Sequence, residues 1–378
     1  MSQEDSQASQ DPGPGIYPPG QHPDLPPPAG TVGPLAWIRN NLFNSVGNSV
    51  ITLLCLYLLY IVVPPVVDWA FISANWGAES KQDCVKAGAC WAVVEQRFGQ
   101  FMYGFYDVDQ RWRPNLAFVG LILALVPLLF NNVPFRKPWL VYTLIFPIIA
   151  FYLLNGGFGL PEIETSKWGG LLVTVSSGVV GIAASLPIGI ALALGRRSNM
   201  PVVRTLCVGF IEFVRGVPLI TILFMSSVML PLFLPEGVNF DKYLRALIGI
   251  ALFSSAYMAE VVRGGLQAIP KGQYEAAEAM GLTYWKSMRL VILPQALKIV
   301  IPGIVNTFIG LYKDTTLLLI IGIFDLLGVA KASIADAKWI GLADEVYVFV
   351  GLLFFLSCFS MSRYSIYLEK KLHTGHKR

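Results

Sequence analysis

Glu275-Ala276-Ala277-Glu278-Ala279-Met280-Gly281, running on to Val291-Ile292-Leu293-Pro294, is the stretch around which the chain is organised. It is polar and charged, yet long apolar runs flank it on both sides, so it reads as a water-exposed connection between membrane spans. Residues Tyr274 to Met280 are good helix formers, and Gly281 suits the position just past a helix end. Thr283 is placed to N-cap a second short helix, Tyr284 to Leu290, with Pro294 ending it or opening the next span.

Composition agrees. Of 378 residues, 54% are hydrophobic and only 14% charged, against about 25% charged in an average soluble domain. The chain is therefore expected to be all-α, a polytopic membrane bundle of about eight transmembrane helices, with the lipid bilayer as its main partner. The net charge of +4 is small and implies no nucleic acid. Cys55, Cys207 and Cys358 lie in apolar runs. His22, His373 and His376 lie in the tails, and no Cys/His pattern suggests a metal. No cleavable signal peptide is evident, because the first apolar run starts after about forty residues and is too long for one.

Residues 1–36 are rich in Pro, Gly, Gln, Ser and Asp, a composition that cannot bury enough apolar surface to offset ordering entropy. They are expected to form a disordered tail. Residues 37–160 read as an accessory region with three spans: about Phe43 to Val67, ending at Pro64-Pro65, then Leu116 to Phe130, then Trp139 to Leu154. A mixed polar loop at about 68–113 lies between the first two, with Trp69, Trp76, Trp91 and Trp112 near membrane level or in a small fold of its own. It carries Cys84 and Cys90, whose spacing permits a disulfide but equally suits two free thiols. Residues 161–372 hold five further spans, with the loop at about 264–294 between the third and fourth of them. Phe324 to Glu345 reads as semi-polar and partly helical.

Charge orients the bundle. Arg136, Lys137, Arg196, Arg197, Arg204, Arg263, Lys271, Lys286, Arg289 and the basic C-terminal tail fall on one side, against Lys167, Lys242, Arg245, Lys331 and Lys338 on the other. The richer side is cytoplasmic. Both termini and the Glu275–Pro294 loop are then inside, and the 68–113 loop outside.

The spacing Glu-Ala-Ala, three residues, Gly, nine residues, Val-Ile-Leu-Pro resembles the docking loop of the membrane subunits of type I ABC importers, with Val291 where the family usually has Ile. Ala259 to Gly281, including Glu260-Val261-Val262-Arg263-Gly264-Gly265, and Glu212-Phe213-Val214-Arg215-Gly216-Val217-Pro218 resemble the polar amino-acid branch of those permeases. Within that branch the chain is most similar to the M-type subunits of general L-amino acid importers. The resemblance implies a five-helix permease core at the C-terminal side, in the inner membrane of a bacterium with two membranes. Glu275, Ala276, Ala277, Gly281 and Pro294 would form the coupling element. The implied partners are a second, non-identical permease subunit, a cytoplasmic ATPase dimer that uses ATP and Mg, and a periplasmic binding protein that delivers an L-amino acid. No Gly-x-x-x-x-Gly-Lys-Ser/Thr occurs in this chain, and no catalytic constellation either. It is read as a transport subunit without a cofactor of its own, not an enzyme.

Three polar clusters sit inside the spans, where charges are costly unless paired or facing water. Glu212 and Arg215 are three residues apart and read either as a self-satisfied pair or as a gate beside the Pro218 kink. Glu260 and Arg263 are likewise on one helix face, and Arg263 reads as a loop anchor or as an arginine snorkelling to headgroups. Asp314, with Thr307 two turns before it and Thr315 after it, resembles the cavity-lining face of amino-acid permeases, which would place its carboxylate on a substrate ammonium. The alternative has Asp314 pairing with another span or capping a helix. An ion-gradient-driven secondary transporter with Asp314 as coupling group remains the rival function. It predicts inverted repeats, and no such symmetry is visible.

Overall fold

The computed structural model describes residues 33–372, apart from Lys86, Asn131, Asn132, Phe158, Glu236, Val238 and Asn239. Most of the expected disordered tail, and its histidine, lie outside the described residues, as does the end of the basic tail. The chain divides into two compact units at Ser73/Ala74, so the accessory region expected over 37–160 is split between them.

The first unit holds α1 (Pro34–Leu42) and α2 (Val46–Val67), the latter continued by a wider turn at Asp68–Ile72. α1 starts inside the range expected to be tail, because Pro34 occupies the first turn, where its missing N–H costs nothing. Ser45 caps α2 by accepting from the Asn48 N–H. Pro64 and Pro65 lie within α2 instead of ending it, and the Asp68 N–H restores the ladder by donating to the Pro64 carbonyl. No residue of α2 is buried within the chain. A helix apolar on every face needs lipid around it.

The second unit runs through α3 (Ala92–Tyr103), α4 (Trp112–Leu129), α5 (Arg136–Asn155), α6 (Gly170–Arg196), α7 (Pro201–Gly216), α8 (Leu219–Phe224), α9 (Lys242–Ala268), α10 (Lys271–Ala279), α11 (Tyr284–Ser287), α12 (Leu293–Ile299), α13 (Ile301–Asp314), α14 (Leu326–Ile334) and α15 (Ala343–Leu372). Among the described residues seven helices are long and apolar enough to cross a membrane. The pair Pro201–Gly216 and Leu219–Phe233, bent by 105°, makes an eighth if it is counted as one broken span. The bend has a local cause: Pro218 forces Val217 out of helical geometry, to φ −111° and ψ 135°. The fold is thus an all-α membrane bundle.

Glycines set how closely the core helices approach. A Cβ on Gly189 of α6 would stand 2.7 Å from the Met258 side chain of α9, and one on Gly181 would stand 2.9 Å from both Ile250 of α9 and Leu311 of α13. Small residues permit such contact where lipid supplies no hydrophobic drive between helices. Arg113 is fully buried, and its guanidinium donates to the carbonyls of Leu154 in the last turn of α5 and of Pro161 in the loop beyond it. The first is an acceptor that a helix terminus leaves open.

At the α6 N-terminal end of the bundle, the segment expected to be an outer loop folds onto the core. Cys90, Val93 and Phe101 share one apolar cluster with Leu326, Val329, Trp339, Leu342 and Val346. Cys84 and Cys90 are joined as a disulfide, and the Cys90 N–H donates to the buried Glu345 carboxylate at 3.0 Å. Arg97 pairs with Asp336. The sequence marks 68–113 as mixed in polarity, but only packing against 325–350 explains its apolar residues. α4 accordingly begins at Trp112, inside the range read as loop.

Asp325 caps α14 there, accepting from the backbone N–H groups of Leu327 and Gly328. Burial pushes its carboxyl up from the ordinary 3.8 to about 6, against the pull of those N–H donors. A carboxyl that holds its proton more tightly folded than unfolded gains stability as pH falls from about 6 towards 4, since the folded state then binds the extra proton. Asp325→Asn keeps an oxygen acceptor for the cap. It is expected to flatten that part of the stability profile relative to the native protein in thermal unfolding of detergent-solubilised samples. An unchanged profile would remove Asp325 as the cause.

Candidate functional site

The Glu275–Pro294 stretch is built as a helical hairpin. α10 closes in a paired capping motif: the Gly281 N–H donates to the Glu278 carbonyl at 2.8 Å and the Leu282 N–H to the Ala277 carbonyl at 3.1 Å. That geometry requires a left-handed residue, and Gly281 has φ +71°. Glu275 and Ala276 are exposed, and Ala277 is buried beneath them. Thr283 precedes α11 but makes no side-chain cap; its carbonyl accepts from the Ser287 N–H instead. The second helix does not stop before Pro294. It continues through a wider turn, Met288–Ile292, into α12, where Pro294 sits in the first turn. Gln295 of α12 donates to the Gln273 side chain of α10 at 2.9 Å, closing the hairpin.

Tyr274, which the sequence did not single out, fastens α10 to the bundle. Its hydroxyl donates to the Leu266 carbonyl near the end of α9 at 3.1 Å and accepts from Arg197 Nη1 at 3.0 Å. The Arg197 guanidinium also lies over its ring, 5.6 Å from the centroid. In sequence, Arg197 counted only as one more cytoplasmic charge; nothing local marks its contact 77 residues away.

The charges flanking the loop form one cluster. Glu260 is its hub. Its Oε2 accepts from Arg263 at 2.9 Å and lies 3.6 Å from Arg215, and its Oε1 accepts from Arg196 at 2.9 Å. Arg196 Nη1 also reaches Glu212 Oε1 at 2.8 Å. The expectation that Glu212 and Arg215 satisfy each other is corrected here: Glu212 bonds to α6 and Arg215 to α9, where it also stacks over Tyr257. Once three helices meet, partners on neighbouring helices compete with an i,i+3 pair, and here they win. Arg263 is likewise held by Glu260 within the protein.

On α13, Asp314 is half-buried and no side-chain hydrogen bond or ion pair to it exists among the described residues. It neither caps the tight turn Thr315–Ile321 that follows it nor pairs with another span. Thr307, two turns earlier, is partly buried, with its hydroxyl donating to the Gly303 carbonyl. Thr315 does not join them: it is fully buried and its hydroxyl is spent on the Tyr312 carbonyl.

Residues 185–374 match the family described as binding-protein-dependent transport system inner membrane component. The chain belongs to that family. The matched range takes in the α10–α12 hairpin, the Glu260 cluster and Asp314. The family member is also similar over nearly its whole length to two curated proteins. One is the inner membrane amino-acid ABC transporter permease protein YhdY of Escherichia coli (strain K12), 54% identical over 94% of this chain and 97% of that protein. The other is the glutamate/glutamine/aspartate/asparagine transport system permease protein BztC of Rhodobacter capsulatus, 43% identical over 93% and 96%. Among solved structures it is similar to a crystal structure of an amino acid ABC transporter with histidines, at 29% identity and TM-score 0.48, covering 53% of this chain and 92% of that one.

Proposed function

We propose that this inner-membrane permease is one half of the pathway of an ATP-driven amino-acid importer. It works with a second, non-identical permease subunit, a cytoplasmic ATPase dimer carrying ATP and Mg, and a periplasmic amino-acid-binding protein. The observation that carries this reading is the α10–α12 hairpin, which presents exposed Glu275 and Ala276 on a rigidly capped helix at the end of α9. The extended similarity to two amino-acid permeases supports it. On this reading Glu275, Ala276, Ala277, Gly281 and Pro294 form the ATPase-docking element, both termini are cytoplasmic, and the Cys84–Cys90 layer is periplasmic. ATP binding biases the bundle between its two states. Asp314 and Thr307 line the pathway, with the Asp314 carboxylate meeting the substrate ammonium.

Uptake of labelled amino acids into cells lacking this chain, with and without the chain restored, tests the reading. Restored uptake should vanish on ATP depletion and survive collapse of the ion gradient, and glutamate, glutamine, aspartate and asparagine are the first panel members to try. Uptake that follows the gradient instead would establish a secondary transporter.

A further inference from the structure

Five residues near the α10 hairpin are linked in series: Tyr274 to Arg197, Arg197 to its neighbour Arg196 through the chain, and Arg196 to Glu212 and Glu260. We infer that Tyr274 and Arg197 form a strap through which movement of α10 opens and closes the Arg196–Glu260 cluster, making Tyr274, Arg197 and Arg196 the positioning residues for coupling. The inference rests on the importer reading above.

The geometry has the parts that such a device needs. The strap is short and directional. Tyr274 Oη, Arg197 Nη1 and the Leu266 carbonyl form a closed triangle, with sides of 3.0, 3.1 and 3.2 Å, that joins α10, the end of α6 and the end of α9. A shift of α10 by an ångström or two breaks bonds here before it disturbs any apolar core, because hydrogen bonds weaken steeply with distance and angle. The cluster next to it ties α6, α7 and α9 through one carboxylate, Glu260. Three arginines meet two glutamates, and Arg196 is the one that both glutamates share. If Arg196 is pulled away with Arg197, Glu212 loses its bond within the cluster, and Glu260 keeps only Arg263 and the longer contact to Arg215. Discrete rearrangement of such a network is what gives a bundle two states instead of a continuum. The Glu260 side chain is 15% exposed, so its bonds are screened less than those of a surface pair.

The test is the number of ATP molecules hydrolysed per amino acid imported by the complete complex in proteoliposomes. Tyr274→Phe keeps the ring under Arg197 and removes only the hydroxyl; the ratio is expected to rise about tenfold or more, the effect of losing a hydrogen bond to a charged group. Arg197→Gln should raise it further, and Arg197→Lys, which keeps a cation over the ring, should restore most of it. The deciding measurement is the double variant Tyr274→Phe with Arg196→Gln. Tyr274 and Arg196 share no bond among the described residues, and separate structural defects would add. A relay predicts that the double variant is no worse than Arg196→Gln alone. Additive effects, an unchanged ratio in Tyr274→Phe, or failure of both Tyr274→Phe and Arg197→Lys to assemble would overturn the strap. If the native complex itself shows no ATP-linked uptake, the importer reading fails instead, and the two outcomes are distinguishable.

Discussion

Gly281→Val is expected to lower ATP-driven uptake by at least about tenfold while leaving the protein in the membrane. At φ +71° an L-residue pays about 1–2 kcal/mol, and a β-branched one is an outlier in that region. Nothing lies within 4 Å of the position where a Cβ would stand, so the penalty comes from backbone geometry and not from a clash. The closing bonds from Gly281 to Glu278 and from Leu282 to Ala277 would then be lost. The last turn of α10, which presents the exposed face around Glu275, would fray. A graded series separates this cause from a general defect. Asn tolerates left-handed backbone, so Gly281→Asn should retain most uptake, Gly281→Ala less, and Gly281→Val least. Equal uptake across the three, measured at matched protein levels, would sink the assignment of this turn to coupling.

Asp314→Asn is the second. An isosteric amide removes the charge and keeps the shape. If the carboxylate meets a substrate ammonium, the loss is that of a charge-assisted hydrogen bond, about 1.5–3 kcal/mol, or roughly 10–100-fold in uptake. Subunit assembly should be unaffected, because Asp314 bonds to no side chain among the described residues. Here the structure sharpens the sequence argument. A half-buried carboxylate within a span needs a compensating group, and among the described residues neither a helix cap nor an ion pair supplies one. Normal uptake of every amino acid by Asp314→Asn complexes would return Asp314 to a structural role, most simply as the partner of a cation on the second permease subunit.

Much of the architecture was legible because membrane spans announce themselves locally. A run of about 20 apolar residues is its own evidence, the Pro218 break acts on its immediate neighbour, and a left-handed glycine after good helix formers marks a helix end wherever it falls. The hairpin of α10 to α12 was therefore readable down to Gly281. Its continuation through Met288–Ile292 into α12 was not, because a wider helical turn has no distinctive composition. How 74–111 folds was not legible for a different reason. Its apolar residues are few and scattered, and only the facing surface of 325–350 makes a core of them.

The site divides along the same line. By itself the sequence determined the fold class, the order of spans, the helix-ending turn at Gly281 and the presence of ionisable residues inside the core, since each depends on spacing within a few turns. Only the tertiary structure decided who pairs with whom. Glu212 lies three residues from Arg215 yet bonds to Arg196, 16 residues earlier, and Tyr274 is held by Arg197, 77 residues away. Spacing along one helix says which side chains can meet, but the partner is set by competition among all the charges that packing brings within reach. In the bundle those came from α6, α7 and α9 together.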